Sequence, residues 1–375
     1  MLTLFTKISQ YFSRKIRNSL SELCGNFIGP LIISEPENTF SQNESFSFSN
    51  NKFNYFGNTP YWFEFQNIQL RKIGLSEFNI SIVIGRGIVL NNQGNVILES
   101  TIFQKEYLDK LNSNHLILYK SFLRSKSIKK AIVLSNYLDK KNNYYHWVME
   151  SLGRLALVNE KELKDYTIIV DINAPKFVSE SLIFLFEIEK CKILYNSNKK
   201  IKVSSLLLPS FPITRNEHTN WTNIYFPEVI RKLNKISLTR TYHEETKTNL
   251  IISRKKATQR RLINLETFVK RYSDLNFKVV LLEEMNFNEQ MQLFRNSKIV
   301  VSTHGAGLVN LLFSEEAEVI EFFPSNRTKR DAFYFYQITQ ALNFKHTIIE
   351  YNSVNNEQDL FLNQNHFNLL DEILN

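Results

Sequence analysis

Apolar residues recur along this chain in two alternating rhythms. From Met1 to about Leu23, Phe5, Ile8, Phe12, Ile16, Leu20 and Leu23 fall at spacings of three or four, with Lys7, Arg14, Lys15 and Arg17 between them. That spacing predicts an amphipathic helix with a basic polar face. A stretch rich in Asn, Ser and Phe follows, Asn38 to Asn58, and reads as irregular. Between about Phe78 and Leu98 the pattern turns β-like. Ile80, Ile82 and Ile84 alternate, and Asn91-Asn92-Gln93-Gly94-Asn95 reads as a hairpin turn before Val96-Ile97-Leu98.

Strand and helix patterns then alternate. Ala131–Leu134 and Thr167–Val170 are short apolar runs of the buried-strand type, while His146–Val158 and Val178–Phe186 carry helical periodicity. A passage containing Pro and Trp, Pro209 to Pro227, interrupts the rhythm and is the candidate domain boundary. Beyond it, strands are expected at Leu250–Ser253, Val279–Leu282, Ile299–Ser302 and Val319–Phe322. Helices are expected at Leu262–Tyr272, Asn288–Phe294 and Leu308–Phe313. Such alternation predicts parallel sheets covered on both faces, in two α/β domains in series. Ligands of such sheets bind at the carboxyl ends of the strands.

Composition narrows the class without choosing a function. Of 375 residues, 43% are hydrophobic and 22% charged, which excludes a largely disordered, collagenous or fibrous chain. The net charge of +9 suits nucleic acid, an anionic membrane surface or a phosphate-bearing ligand. Cys24 and Cys191 form no CxxC pair, so neither a zinc cluster nor a disulfide scaffold is indicated. No run approaches the ~20 apolar residues of a membrane span, and the first residues lack a signal peptide's apolar core and cleavage site. A reducing, cytoplasmic location is the expectation.

Three constellations carry candidate chemistry. In Lys298-Ile-Val-Val-Ser-Thr-His304-Gly305-Ala306-Gly307-Leu308-Val-Asn310, an apolar strand runs through a glycine turn directly into a helix. Backbone N–H groups at such a start favour an anion, and His304 can donate to a phosphate oxygen. Plain packing is the competing reading. The segment is not the GxGxxG of dinucleotide sites, and the chain has no G-x-S-x-G nucleophile elbow. The second is Ser253-Arg254-Lys255-Lys256-Ala-Thr-Gln-Arg260-Arg261, directly after a strand; it reads either as a diphosphate grip or as a solvated or nucleic-acid-binding loop. The third is Asn143-Tyr-Tyr-His146-Trp-Val-Met-Glu150-Ser-Leu-Gly-Arg154, where the i, i+4, i+8 spacing stacks His146, Glu150 and Arg154 on one helical face. A carboxylate beside an imidazole is a candidate general base; a structural salt-bridged trio is the alternative. Glu321, near the end of a buried strand, reads either as a ribose ligand or as a capped strand end.

In this order and spacing, the His146–Glu150 block, Ser253-Arg254-x5-Arg260-Arg261-Leu-Ile-Asn264 and His304-Gly-Ala-Gly-Leu-Val-Asn310-Leu-Leu-Phe resemble glycosyltransferase family 61, in its bacterial branch of capsular polysaccharide biosynthesis proteins. The resemblance runs from about Phe78 to Leu342 and takes in Phe287-x-x-Gln290-x-x-Leu293-Phe294. It implies a GT-B fold, with two Rossmann-like domains facing a cleft, and inverting, metal-independent transfer from a nucleotide sugar. No two Asp residues are separated by a single residue, so a DxD metal motif is absent. Residues 1–60 would then be the helix and irregular segment, 61–220 an acceptor domain and 221–375 a donor domain.

The resemblance further implies that Ser253, Arg254, Arg260, Arg261, His304, Gly305, Ala306, Gly307, Leu308, Asn310 and Glu321 hold a UDP- or CMP-linked donor, which is a substrate rather than a cofactor. Glu150 would take the acceptor's proton with His146 orienting it, or His146 would be the base; Asn143 and Arg154 would touch a glycan or lipid-linked acceptor. Gly153 and Leu265 stand where the family often has Pro and Glu, though Glu266 is adjacent. The setting implied is capsule or lipopolysaccharide synthesis, peripheral on the inner membrane face through the N-terminal helix, with no nucleic acid. A non-catalytic nucleotide- or nucleic-acid-binding protein, or an assembly scaffold, is the alternative.

Overall fold

A computed structural model of the chain describes residues 38–39, 45–46, 52–65, 68–84, 87–92, 96–101, 126–134, 143–196, 200–215 and 222–374. The expected amphipathic helix and Cys24 lie outside the described residues. Among the described residues, no helix is long and apolar enough to cross a membrane.

Two sheets dominate, and mixed α/β architecture with parallel strands is what the alternating rhythm demands. The first is 7-stranded. Its path runs Asn38–Thr39, Gly74–Ile84, Ile201–Pro209, Lys126–Val133, Thr167–Asp171, Ile193–Asn196, with Ile88–Leu90 added against Gly74–Ile84. The strands from Ile201–Pro209 outward pair in parallel, whereas Gly74–Ile84 is antiparallel to its neighbours. One reversal falls at Gly87, whose φ of 101° suits glycine, and a second is marked by the Leu90–Val96 bridge around the expected turn. The alternating isoleucines mislead about facing: Ile80 is 49% exposed while Ser81 and Val83 are buried.

The second sheet is 6-stranded and wholly parallel, in the order Lys278–Val280, Thr248–Ile252, Ser297–Thr303, Glu318–Pro324, Lys345–Tyr351, Phe53–Phe56. Its strands are near-continuous apolar runs because both faces are covered. Ile251, Val301, Ile320 and Ile349 face one core with Phe268 and Leu370 from the helices Leu265–Arg271 and Gln364–Leu374. Leu250, Ile252, Val300, Val319 and Ile348 face the other, which runs on into Ile132, Ile168 and Leu207 of the first sheet. The two sheets therefore share one continuous core.

The segment Phe53–Phe56 corrects the irregular reading of Asn38–Asn58. It pairs with Lys345–Tyr351 in parallel, and Phe53 packs 4.6 Å from the Tyr336 ring and 5.8 Å from Trp62. The Pro209–Pro227 passage holds the paired strands Ile213–Thr214 and Ile224–Tyr225. The helix Pro227–Arg240 follows, with Pro at its first turn, where a missing N–H costs nothing. Asn234 on that helix donates to Leu312 O and Ser314 O, and Arg240 donates to Leu185 O, so it is tied to both halves.

Candidate functional site

Parallel strands bring all their carboxyl ends to one edge, and the second sheet spends that edge on cations. Ile252 leads into Ser253 and Arg254, Thr303 into His304 and Gly305, and Pro324 into Arg327. Ser253 is buried; its oxygen accepts from Lys255 N and its N–H donates to Val280 O, which sets the turn that projects Arg254. Arg254 lies directly on Gly305: a Cβ added there would sit 2.0 Å from its Nη1. The glycine is therefore required by contact, since its φ of 178° is ordinary extended backbone. The 3-10 helix Ala306–Phe313 starts at once, with Ala306 and Gly307 still partly exposed. A Cβ at Gly307 would meet Leu282 Cδ1 at 2.7 Å.

Arg260 sits in the left-handed region at φ 58°, held by its N–H to Glu357 O and by the Thr303 hydroxyl on its carbonyl. Burial, followed by repulsion from Arg254 and Arg327, pushes its guanidinium down to about 10. Burial also lowers Arg254, partly offset by Glu283 and Tyr351. The Nε atoms of Arg260 and Arg327 are buried without a hydrogen-bond partner among the described residues. Among the described residues, the Arg327 side chain is tied only at its far end, Nη2 to Asp331 Oδ2 at 2.6 Å. Like charges crowded together with idle donors make a site that a multivalent anion would relieve. Sequence reasoning missed Arg327, which lies in no motif.

His304 is buried under this cluster. Its Nδ1 lies 2.5 Å from Glu321 Oε1, and Glu321 Oε2 is 3.1 Å from His346 Nε2. Glu321, expected as a ribose ligand or a capped strand end, is 0% exposed and stands mid-strand with both oxygens engaged by imidazoles. Burial raises its carboxyl against the pull of His304, Arg260 and Arg327.

Across the shared core stands the second imidazole–carboxylate pair. Asn143 Oδ1 caps the helix start by accepting from Tyr145 N at 2.9 Å, so the side chain expected to touch an acceptor serves as a cap. His146 Nδ1 is 2.7 Å from Glu150 Oε1, and the Tyr225 hydroxyl donates to the same oxygen at 3.2 Å. Exposure separates their roles: the His146 side chain is 41% exposed and that of Glu150 is 4%. The imidazole is thus the member of the pair open to solvent, and the carboxylate is the enclosed one. Phe335 packs 5.1 Å from the His304 ring and 5.6 Å from Tyr145, and so lies between the two pairs.

Arg154 is not part of this face. Trp147–Leu152 is a π-helical turn, so the i+8 position rotates away from the stripe that the spacing predicted. Arg154 is 1% exposed, donates from Nε to Pro209 O at 2.8 Å and stacks 4.2 Å over Phe211, away from the His146 face on which it was expected. Gly153 is explained by the same packing, since a Cβ would lie 2.9 Å from Pro212 Cγ.

Three further residues expected on the donor side are engaged within the fold. Asn310 is fully buried as a bracket between halves, accepting from the Tyr144 hydroxyl at 2.6 Å and donating to Gln290 Oε1 at 2.8 Å. Leu308 is buried and its N–H is already bonded to Gly305 O. Arg261 grips Asp359 by Nε and Nη2, the latter at 2.6 Å from Oδ2, while its own N–H bonds Oδ1. Although burial opposes it, bonding from Arg261 and Asn355 holds the Asp359 carboxyl below its usual range. Its stabilisation is thus complete above the ordinary aspartate value of ~3.9 and fades as pH falls through the lowered one. Asp359→Asn should lower the urea midpoint at pH 7 and flatten its decline below about pH 4; an unchanged pH slope would remove the pair from the stability of this loop.

Residues 144–320 match the family described as Glycosyltransferase 61. That span contains both imidazole–carboxylate motifs up to His304 and the whole Ser253–Arg261 loop; Glu321, Arg327 and His346 lie just beyond it. Among curated proteins, the EGF domain-specific O-linked N-acetylglucosamine transferase of Gallus gallus is 31% identical over 93 residues, which are 24% of this chain and 17% of that protein. The chain thus matches a minor part of that relative's length.

Proposed function

From the premise that residues 144–320 form a glycosyltransferase 61 region, we propose that the chain transfers a sugar from a nucleotide sugar to an acceptor hydroxyl. The observation that carries this reading is the carboxyl-edge cluster of Arg254, Arg260 and Arg327, with two idle Nε donors beside a glycine turn. A diphosphate supplies the charge and the oxygens that such a cluster lacks. The loop–helix junction at Ala306 and Gly307 adds backbone polarity of the same sign.

In this mechanism His146 takes the proton of the acceptor hydroxyl on its other ring nitrogen, while the Glu150 carboxylate, itself held by Tyr225, accepts the hydrogen bond of the imidazole's Nδ1–H and steadies the charge that develops. The acceptor oxygen bonds to the anomeric carbon as the bond from that carbon to the phosphate oxygen breaks. Both electrons leave with the nucleotide, whose new charge the three guanidiniums hold. Attack from the face opposite the phosphate inverts the configuration. The two sheets with their helices are read as the two halves of a GT-B fold. The net charge of +9 agrees with work beside an anionic membrane surface, on a glycan or lipid-linked acceptor of a cell-surface polysaccharide such as capsule or lipopolysaccharide.

The test is thermal stabilisation across a panel of nucleotide sugars, followed by donor hydrolysis with the best ligand. A UDP- or CMP-linked donor should raise the melting temperature and be slowly hydrolysed. A chain that no nucleotide stabilises would not be this enzyme.

A further inference from the structure

The hydrogen-bonded series beneath the cation cluster has a direction. His346, from the Lys345–Tyr351 strand, is 1% exposed, and burial drives its imidazole down to about 3, so it is neutral. A neutral imidazole carries one proton. Its Nε2 faces Glu321 Oε2 at 3.1 Å, and its Nδ1 faces the Thr339 hydroxyl at 3.0 Å. Burial raises the Glu321 carboxyl, while the His304 ring 2.5 Å away and the nearby Arg260 and Arg327 favour its ionised form. An ionised carboxylate accepts only, so both imidazoles touching it must present N–H. His346 is then protonated on Nε2 with its lone pair on Nδ1, and the Thr339 hydroxyl, which also lies 3.0 Å from Tyr336 O, turns its proton to that lone pair. His304 is protonated on Nδ1.

His304 itself is buried, and burial lowers its imidazole against the pull of Glu321, with Arg327 and Arg260 adding to the lowering. In a neutral ring whose Nδ1–H is given to Glu321, Nε2 is the lone pair. That atom bonds to none of the described residues and is not among the fully buried polar atoms without a partner. A lone pair repels a phosphate oxygen and accepts from a hydroxyl. We propose that His346, acting through Glu321, is a positioning residue that locks His304 in the Nδ1–H form, and that His304 Nε2 reads a hydroxyl of the donor rather than its phosphate. This assignment rests on the function proposed above and divides the labour within it. The guanidiniums hold the diphosphate, and the imidazole checks for a hydroxyl beside it, on the ribose or on the sugar.

Two measurements on the full chain test the proposal. The first is the 15N NMR spectrum of its imidazoles without ligand. His304 should show a protonated Nδ1 and a bare Nε2 at neutral pH. His346→Leu should disturb that pattern, and His346→Gln, which restores an N–H donor to Glu321, should rescue it. If His346→Leu does not fold, Thr339→Val carries the same comparison by removing the donor to His346 Nδ1. A His304 ring protonated on Nε2, or a pattern indifferent to these changes in folded protein, overturns the proposal. The second measurement is binding. His304→Gln should leave inorganic pyrophosphate affinity within about two-fold, while weakening the hydroxyl-bearing ligand about 3- to 10-fold, as loss of one neutral hydrogen bond does. UDP against its 2′-deoxy and 3′-deoxy analogues reads a ribose hydroxyl, and a UDP-sugar against UDP reads one on the sugar. Equal loss for pyrophosphate would return His304 to the phosphate and refute the assignment. A wild-type chain that binds none of these ligands defeats the functional reading, while the spectrum still decides the tautomer.

Discussion

Replacing His146 with Gln should slow transfer by about 10²- to 10⁴-fold, the usual worth of a positioned general base. The apparent affinity for donor should hardly change. The reason is access: the imidazole is the exposed member of its pair, while Glu150 is enclosed by the helix and by Tyr225. Glu150→Gln should also slow the reaction, through loss of the anion that orients Nδ1–H, but by less than the His146 change. Tyr225→Phe removes one bond to that carboxylate and should cost only a few-fold. The ordering carries the mechanism. A His146→Gln enzyme within a few-fold of wild type, beside an inactive Glu150→Gln, would move the base to the carboxylate.

The second large effect is expected from one methyl group. In Gly305→Ala the new Cβ would occupy the space of Arg254 Nη1, 2.0 Å away, with Cζ at 2.9 Å. The obstacle is the far end of a flexible side chain, so the guanidinium moves and the backbone stays. Melting temperature should change little, but nucleotide affinity should fall ~10- to 100-fold, since a charge-assisted bond contributes about 1.5–3 kcal/mol. Arg254→Ala should give a similar loss, and the double variant should lose little more than either single one, because both remove the same contact. Additive losses in a thermodynamic cycle would show that the glycine and the arginine act separately.

Much of the frame was legible in the sequence because parallel strands covered on both faces advertise themselves as apolar runs. Leu250–Ser253 matches the observed strand Thr248–Ile252 except for its last residue, and Ile299–Ser302 and Val319–Phe322 stand inside Ser297–Thr303 and Glu318–Pro324. The pairing of His146 with Glu150 was legible too, because one turn of helix fixes i and i+4. Arg154 was misplaced because periodicity assumes a uniform helix, and a π turn between Trp147 and Leu152 breaks that assumption without any mark in composition. The partners of Glu321 were hidden for a related reason. A strand pattern says which residues are buried but not which distant side chain meets them, and His346 reaches it from the next strand over. Arg327 and His346 belong to no motif; only the parallel sheet, by lining up strand ends and registers, brings them to the site.

The strand Phe53–Phe56 has a consequence for the order in which the molecule can be made. It closes the sheet against Lys345–Tyr351, and the Tyr55 hydroxyl bonds Glu350, 295 positions away. On the ribosome this strand emerges early and must wait, unpaired, until nearly the whole chain has been synthesised, since such distant contacts form late. Phe53 also packs edge-on to His346 at 5.7 Å, so the imidazole beneath the ligand site receives its last neighbour in that same closing event. A fragment beginning after this strand, however complete its motifs, would be released with an open sheet edge and an unsupported His346. Maturation of the site therefore belongs to the end of synthesis, and the first-made strand of this sheet is the one that completes it.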